Sequence, residues 1–232
     1  GDLMDEPNGD RSYIPMYIIS KYAKEHVSVV LSGDGADELF GGYPRYWALE
    51  NKYNKEFKNY NEIQLLNMYF DDFLPVFKLS KLQSFDSAMY DNFIDKFRRY
   101  YFNPHRSIAA STRELDFNSY MTCVLSKVDT MSMKCSLEVR TPFLSPEIIS
   151  LSMVAPNELL FNGIYPKLIL RNICSKYISK KTASLPKTGF GLPLHNYDFF
   201  KSNITKHLNE SFQTLKRNNF FLSQPSLLNF LK

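Results

Sequence analysis

Apolar residues near the start of the chain recur at helical spacing. They stand three or four residues apart at Ile14, Tyr17, Ile18 and Tyr22. This periodicity predicts an amphipathic helix over residues 13–25. Pro15 fits the first turn of such a helix, where no backbone N–H group is needed.

The next segment changes to a continuous apolar run. Residues 27–31, VSVVL, are mostly β-branched, and such a run predicts a strand that is buried on both faces, as in a parallel sheet. Gly33 and Gly35 end this strand, and residues 36–40 can begin a helix.

Helical patterns account for most of the remaining chain. The predicted helices cover residues 62–73, 78–82, 86–99, 111–135, 146–154, 167–177 and 195–211. Within 111–135, apolar positions alternate at intervals of four and three residues at Phe117, Met121, Val124, Val128, Met131 and Cys135. That stripe predicts one or two buried helices, with methionine as core filling. Residues 195–211 predict a polar surface helix, and the basic residues 176–188 predict a loop.

The patterns together predict one α/β domain that is mostly helical around a small parallel sheet. Residues 1–46 would hold the core strand and an acidic loop, and 47–110 a helical insertion. Residues 111–194 would form a helical core with a lysine loop, followed by C-terminal helices in 195–232.

Composition narrows the class of protein without identifying it. The 232 residues are 44% hydrophobic and 22% charged, with a net charge of +4, which argues against a dedicated nucleic-acid binder. The sequence shows neither an apolar run long enough to span a bilayer nor a signal-peptide pattern. Cys123, Cys135 and Cys174 are widely spaced and predict free thiols in a reducing compartment. We therefore expect a cytoplasmic protein that has no membrane partner.

The loop after the predicted strand carries three carboxylates. In SGDGADE, Asp34, Asp37 and Glu38 follow the carboxyl end of the strand, where doubly wound sheets bind ligands. The stretch is not a Walker loop, a dinucleotide fingerprint or an EF-hand loop. Such a loop could hold phosphate only through a cation such as Mg²⁺. The structural alternative is an acidic first helical turn, which the helix dipole favours.

Two further stretches place charged residues among apolar ones. SKVDTMSMKCSLEVRTPFL has Asp129 in an apolar helical region, followed by Glu138 and Arg140, and LPKTGFGLPL has Lys187 before a glycine-flanked phenylalanine. The structural alternatives are a buried salt-bridge network for the first stretch and a solvated lysine in a turn for the second.

Together these stretches resemble the synthetase domain of the glutamine-dependent asparagine synthetase family. The matching pieces are DEP and IP of the opening, VVLSGDGADELFGGYPRY, VDTMSMKCSLEVRTPFL and PKTGFGLP, in the family's order across residues 2–194. The resemblance implies part of an adenine-nucleotide alpha-hydrolase-like (ATP pyrophosphatase) fold that uses ATP and Mg²⁺. In the family, aspartate attacks the α-phosphate of ATP, an acyl-adenylate forms with release of pyrophosphate, and ammonia from glutamine gives asparagine and AMP.

The resemblance also implies residue roles. By similarity, Asp37 is the Mg²⁺ ligand, and Lys187 stabilises charge on the phosphates. Asp34 and Asp129 jointly match the acidic positions near the reacting centre, where one carboxylate can take the proton of the attacking amine. Which of the two is the base stays open. The other candidates are Ser32, Gly33 and Gly35, beside Asp34 and Lys187, for ATP and pyrophosphate; Asp10, Arg11 and Ser12 for the acceptor; and Glu138 and Arg140 as an orienting pair.

The sequence departs from the family in two places. It has no Ser-Gly-Gly-x-Asp-Ser loop, which cradles pyrophosphate in the family, and no glutaminase with a leading cysteine. We therefore expect a fragment that is inactive alone, with a glutaminase domain in the same native chain, or else a degenerate homologue. A homodimer is possible.

Two other functions stay open at this point. A related ligase could activate another carboxylate, such as a sugar acid of a surface polysaccharide. Alternatively, the chain could be a non-catalytic interaction module on the same fold, although retention of Asp34, Asp37, Asp129 and Lys187 counts against this.

Overall fold

The computed structural model describes residues 10, 12–56, 64, 66–67, 69, 87–101 and 106–190. In chain order the elements are α1 (Tyr13–Lys24), β1 (Val29–Leu31), α2 (Ala36–Leu39), α3 (Pro44–Glu56), α4 (Ser87–Tyr101), α5 (Ile108–Met133), β2 (Glu138–Arg140), a 3-10 helix (Pro142–Leu144), α6 (Pro146–Val154), α7 (Asn157–Leu160), α8 (Leu168–Tyr177) and α9 (Lys180–Ala183). This confirms a predominantly helical α/β fold with a small parallel sheet. In the described part of the chain, no helix is long and apolar enough to cross a bilayer.

The sheet consists, within the described residues, of β1 and β2 in parallel. Val29, Val30 and Leu31 pair with Glu138, Val139 and Arg140 in register. The pairing continues at its carboxyl end, where the backbone N–H of Ser32 donates to the carbonyl of Arg140 at 2.8 Å. The sequence analysis did not predict β2, because three residues with two charges give no apolar run.

The expectation that the first strand is buried on both faces was wrong. The strand is three residues long, and Val29 and Leu31 are 40% and 73% exposed. A run of β-branched residues favours extended backbone, but its burial depends on what packs against the sheet. Among the described residues, β1 pairs with β2 alone.

Helix α5 is the central packing element. It contacts α1, α2, α3, α4 and β2. The stripe that the sequence identified is largely buried at Met121, Val124, Val128 and Met131. The prediction of one or two helices resolves to one continuous helix of 26 residues. Its amino end is capped by Ser107, whose Oγ accepts from the backbone N–H of Ala110 at 3.1 Å.

An apolar cluster lies beneath the acidic loop. It joins α2, α3, α5 and α7 through Leu39, Phe40, Tyr46, Ala109, Leu160 and Phe161. The contribution of α3 was not predicted, since the polar and aromatic residues after Pro44 show weak periodicity. Tyr46 and Leu49 are nevertheless fully buried. The carboxyl end of α2 is therefore packed into this cluster.

The other sequence predictions have mixed outcomes. Helices α1, α4, α6 and α8 confirm the predicted segments closely. The basic loop over 176–188 was partly wrong, because α9 forms there with Ser179 Oγ accepting from the backbone N–H of Thr182 at 2.9 Å. The predicted helices at 78–82 and 195–211, and most of that at 62–73, lie outside the described residues; 64, 66–67 and 69 are helical.

Candidate functional site

The loop between β1 and α2 turns sharply at Gly35. Its φ is +86°, a left-handed conformation that favours glycine, and a Cβ atom there would collide with Leu144 Cδ2. Gly35 is the residue directly before α2, so Asp37 and Glu38 fall in the first helical turn. The acidic first helical turn that the sequence analysis gave as the structural alternative is therefore present. Asp37 and Glu38 also have specific partners.

Asp37 lies between two lysines. Lys167 Nζ is 2.9 Å from its Oδ1, and Lys187 Nζ is 2.9 Å from its Oδ2. A quarter of each of the Asp37 and Lys187 side chains is exposed. Burial alone would raise the pKa of Asp37, but the charges of Lys167 and then Lys187 outweigh it and hold the pKa below its ordinary value. The carboxylate is therefore ionised at neutral pH.

The glycine pair after α2 makes room for this carboxylate. A Cβ atom at Gly42 would overlap Asp37 Oδ1. The Gly42 N–H also donates to the carbonyl of Asp37 at 2.7 Å, so the backbone returns close to the acidic turn. Gly41, with a φ of +67°, permits that return. Glycine is thus required at both positions, at Gly41 for the backbone conformation and at Gly42 for the space that the Asp37 carboxylate occupies.

Lys167 was not identified by the sequence analysis. It directly precedes α8 and adopts a left-handed φ of 55°, which is uncommon for a residue other than glycine. A cation at a helix amino terminus is disfavoured by the helix dipole, so its position in the sequence was an available signal of an anionic partner. The pairing with Asp37 itself is a tertiary contact that no local pattern predicts.

The two candidate bases are not in contact with each other. Asp34 is half-buried, and its Oδ2 accepts from Ser32 Oγ at 2.7 Å. Asp129 is exposed on α5, and the structure shows no hydrogen bond or ion pair between these two described residues. The assignment of Asp34 and Asp129 as the residues near the reacting centre stays a prediction. Of the two, Asp34 is held within the loop by its hydrogen bond from Ser32 Oγ.

Glu138 and Arg140 form an exposed pair on one face of β2. Arg140 Nε donates to Glu138 Oε1 at 2.7 Å, and the side chains are 64% and 54% exposed, respectively. The alternative of a buried salt-bridge network around Asp129, Glu138 and Arg140 is therefore wrong. Residues i and i+2 of a strand share a face, which explains the contact.

The acceptor candidates Asp10 and Ser12 meet Lys127 of α5, which the sequence analysis missed. Lys127 Nζ lies 3.2 Å from Asp10 Oδ2 and 2.8 Å from Ser12 Oγ. Burial opposes ionisation of Asp10, but hydrogen bonds from Ser12 and the charge of Lys127 hold its pKa below the ordinary value. Arg11 lies outside the described residues.

A buried polar network supports the acidic turn from below. Glu38 is 2% exposed, and Tyr43 Oη donates to its Oε1 at 2.9 Å. Burial raises the pKa of Glu38. Nearby, the fully buried Asp116 accepts from Arg45 and from the hydroxyl of Tyr46 at 2.7 Å. The Asp116 contacts tie α3 to α5, and Arg113 of α5 ties α2 to it by donating from Nε to the Glu38 carbonyl at 3.2 Å.

The residues at Asp37 suit Mg²⁺ only together with a bound phosphate. The described residues contain no group of three or more His, Cys, Asp or Glu side chains that could hold a metal ion. Mg²⁺ commonly takes one or two carboxylates and completes its shell with phosphate oxygens and water. One carboxylate beside two ammonium groups fits that arrangement.

The fold defines the class of protein as a predominantly helical α/β protein, and a cluster of charged side chains lies at the carboxyl end of its parallel strand β1. The family model described as asparagine synthase matches residues 2–232. The chain belongs to the asparagine synthase family.

Curated relatives agree with this membership. The chain is 27% identical to "Asparagine synthetase [glutamine-hydrolyzing] 1" of Bacillus subtilis (strain 168), over 83% of the chain and 35% of that protein. It is 26% identical to a "Putative asparagine synthetase [glutamine-hydrolyzing]" of Mycobacterium bovis, over 84% of the chain and 34% of that protein. The chain thus spans about a third of the length of the curated relatives it matches. No solved structure matches the chain significantly.

Proposed function

We propose that this chain forms part of the ATP site of a ligase that makes asparagine from aspartate. Aspartate would be activated as β-aspartyl-adenylate with release of pyrophosphate, and ammonia from glutamine would then give asparagine and AMP. The observation that carries the proposal is the placement of Asp37 between Lys167 and Lys187 at the carboxyl end of β1. Membership in the family supports the reaction class.

In this proposal the two lysines bind phosphate oxygens of ATP. Lys167 Nζ lies 2.9 Å from Asp37 Oδ1 and Lys187 Nζ lies 2.9 Å from Asp37 Oδ2. In the proposal, ammonium groups placed on both sides of this carboxylate stabilise negative charge that develops on the phosphates. Asp37 would hold Mg²⁺, which when bound neutralises charge on the pyrophosphate leaving group. Ser32, Gly33 and Gly35 form the wall of the loop on the nucleotide side.

The remaining residues have proposed roles in the amide-forming step. Asp34, held by Ser32, or Asp129 takes the proton that ammonia loses on attack. Asp10, Ser12 and Lys127 form the acceptor side, and Glu138 with Arg140 orients the reactants, as additional assignments of the same proposal. A glutaminase domain of the same native chain, a homodimer and a cytoplasmic location are part of it as well.

The test uses the native protein with ATP, Mg²⁺, ammonia and aspartate. AMP, pyrophosphate and asparagine are quantified for wild type, Asp37→Asn and Asp95→Asn, an exposed change on α4. We expect asparagine and AMP in equal amounts, a loss of about 100-fold or more in Asp37→Asn and no loss in Asp95→Asn. Absence of ATP turnover with aspartate would remove the aspartate assignment. AMP formation with another carboxylate, such as a sugar acid, would redirect the acceptor.

A further inference from the structure

The ring of Tyr43 stands against the ammonium group of Lys187. The distance from Lys187 Nζ to the ring centroid is 4.8 Å, within the range of a cation–π interaction. Arg45 also lies against this ring, with its Cζ 4.2 Å from the centroid. The negative face of an aromatic ring attracts such cations, and each cation has a carboxylate partner, Asp37 for Lys187 and Asp116 for Arg45.

Tyr43 is itself held in place. Its hydroxyl donates to the buried Glu38 at 2.9 Å, and its ring packs edge-on against Tyr46 at 5.7 Å between centroids. Tyr43 directly follows the glycine pair that brings the chain back to Asp37. The ring is therefore held beside α2, the helix that carries the candidate metal ligand Asp37.

Lys187, in contrast, lies in a segment without helix or strand. Residues 185–190 form no regular element after α9. In the described part of the chain, the recorded partners of its ammonium group are the Asp37 carboxylate and the Tyr43 ring. A flexible lysine loses rotamer freedom when it is fixed, so its position depends on those two partners.

We propose that Tyr43 is a positioning residue, whose ring holds the Lys187 ammonium group at the ATP site. The inference deepens the proposed function and rests on it for its kinetic consequence. Asp37 fixes the lysine through charge, but its carboxylate is also the candidate ligand of Mg²⁺. The ring supplies a second, uncharged contact that remains when a ligand competes for Asp37.

The first test measures lysine reactivity without any substrate. Reductive methylation of the native protein, read by mass spectrometry, gives the rate at Lys187 and at the exposed Lys180. We compare Tyr43→Phe, which keeps the ring, with Tyr43→Leu, which removes it, and with the exposed Tyr22→Leu as a matched change. We expect Tyr43→Leu alone to raise the Lys187 rate, by roughly 2- to 30-fold, with Lys180 unchanged.

Unchanged reactivity of Lys187 in Tyr43→Leu would overturn the proposal. An equal rise at Lys187 and at the buried Lys127, measured in the same spectra, would also overturn it, because it would indicate general unfolding. Thermal melting of each variant accompanies the measurement, and retention of the wild-type rate by Tyr43→Phe assigns the effect to the ring rather than to the hydrogen bond with Glu38.

The second test is kinetic. We expect Tyr43→Leu to lower the kcat/KM for ATP and to add nothing to the loss caused by Lys187→Ala, since both remove the same positioned charge. Additive losses would show that Tyr43 acts elsewhere and would overturn the inference. If the wild type turns over no ATP, the proposed function fails, and the reactivity experiment still decides whether Tyr43 holds Lys187.

Discussion

At the scale of single residues, Gly42 and Asp37 illustrate how tightly the candidate site is built. The Asp37 carboxylate occupies the space that a side chain at Gly42 would take. Lys167 and Lys187 then fix both of its oxygens. Adding one methyl group or removing one charge here should therefore change stability or ATP turnover more than the same change at an exposed position.

Gly42→Ala should lower both stability and ATP turnover. The new Cβ would overlap Asp37 Oδ1, and relief requires movement of the carboxylate or of the backbone. Overpacking of this kind costs about 1–3 kcal/mol. Gly189→Ala is the matched control, because a Cβ atom there meets nothing within 4 Å. Thermal melting and AMP formation are measured for both; equal behaviour would show that the site relaxes easily around Gly42.

The buried Glu38 should make stability depend on pH. Its pKa is raised above the ordinary 4.5, chiefly by burial. The folded state therefore binds the proton more tightly than the unfolded state, and the stability present below pH 4.5 is lost as pH rises through the folded pKa. Glutamine at position 38 cannot ionise. As pH rises through the folded pKa of Glu38, the melting temperature of Glu38→Gln should therefore increase relative to that of wild type.

The measurement is the melting temperature of wild type and Glu38→Gln from about pH 4 to about pH 8. Glu25→Gln, at an exposed position on the surface, serves as the control. Parallel curves for wild type and Glu38→Gln would contradict the prediction. Because glutamine retains an acceptor oxygen for Tyr43 Oη, the comparison isolates the charge.

At the scale of elements, the first turn of α5 is stabilised by side chains that accept hydrogen bonds from its backbone N–H groups. Ser107 Oγ accepts from the backbone N–H of Ala110, and Glu50 Oε2 accepts from that of Ala109 at 2.7 Å. These acceptors satisfy N–H groups that a helix leaves unpaired at its start. The helix that contacts α1, α2, α3, α4 and β2 is thereby anchored near α3, next to the apolar cluster.

Ser107→Ala should lower the free energy of unfolding by about 1 kcal/mol. The change removes the cap and also the partner of Asn157 Nδ2, which donates to Ser107 Oγ at 2.7 Å. Ser126→Ala, at an exposed position of α5, should stay within about 0.5 kcal/mol of wild type. Chemical denaturation of the three proteins checks this, and a loss as small as that of Ser126→Ala would show that Glu50 alone suffices.

At the scale of the whole molecule, the described structure exposes large apolar side chains on α1 and on β1. The exposed large apolar residues on α1 are Ile14, Ile18, Ile19 and Tyr22, and Val29 and Leu31 of β1 are exposed as well. Exposed apolar surface favours association, as does the edge of a strand that, among the described residues, has one partner strand. Of the two elements, β1 leads directly into the candidate site loop.

The 232-residue chain produced by itself should therefore self-associate as its concentration rises. Ile18→Lys, at a position that is 58% exposed, should reduce the association by adding charge to the surface. Val154→Lys, at an 80% exposed position on α6, is the matched control and should have little effect. Light scattering over a concentration series measures the mass, and a monomer throughout would contradict the prediction.

Much of the helical structure can be predicted from the order of residues alone. Helices α1, α4, α5, α6 and α8 follow from the spacing of apolar residues, because that spacing is a property of neighbouring positions. The family resemblance followed from contiguous motifs, and Asp37 was singled out inside one of them. These signals need no knowledge of which distant segments meet.

Which charges meet at the site, and which surfaces are buried, became known from the folded structure. Lys167 contacts Asp37, and Lys187 contacts Tyr43, and each pair is separated by more than 100 residues of chain. The short strand β2 forms by pairing with β1. The exposure of β1, which the apolar run did not predict, has the same origin. Burial and ion pairing depend on contacts between segments that are distant in sequence, and periodicity carries no information about those contacts.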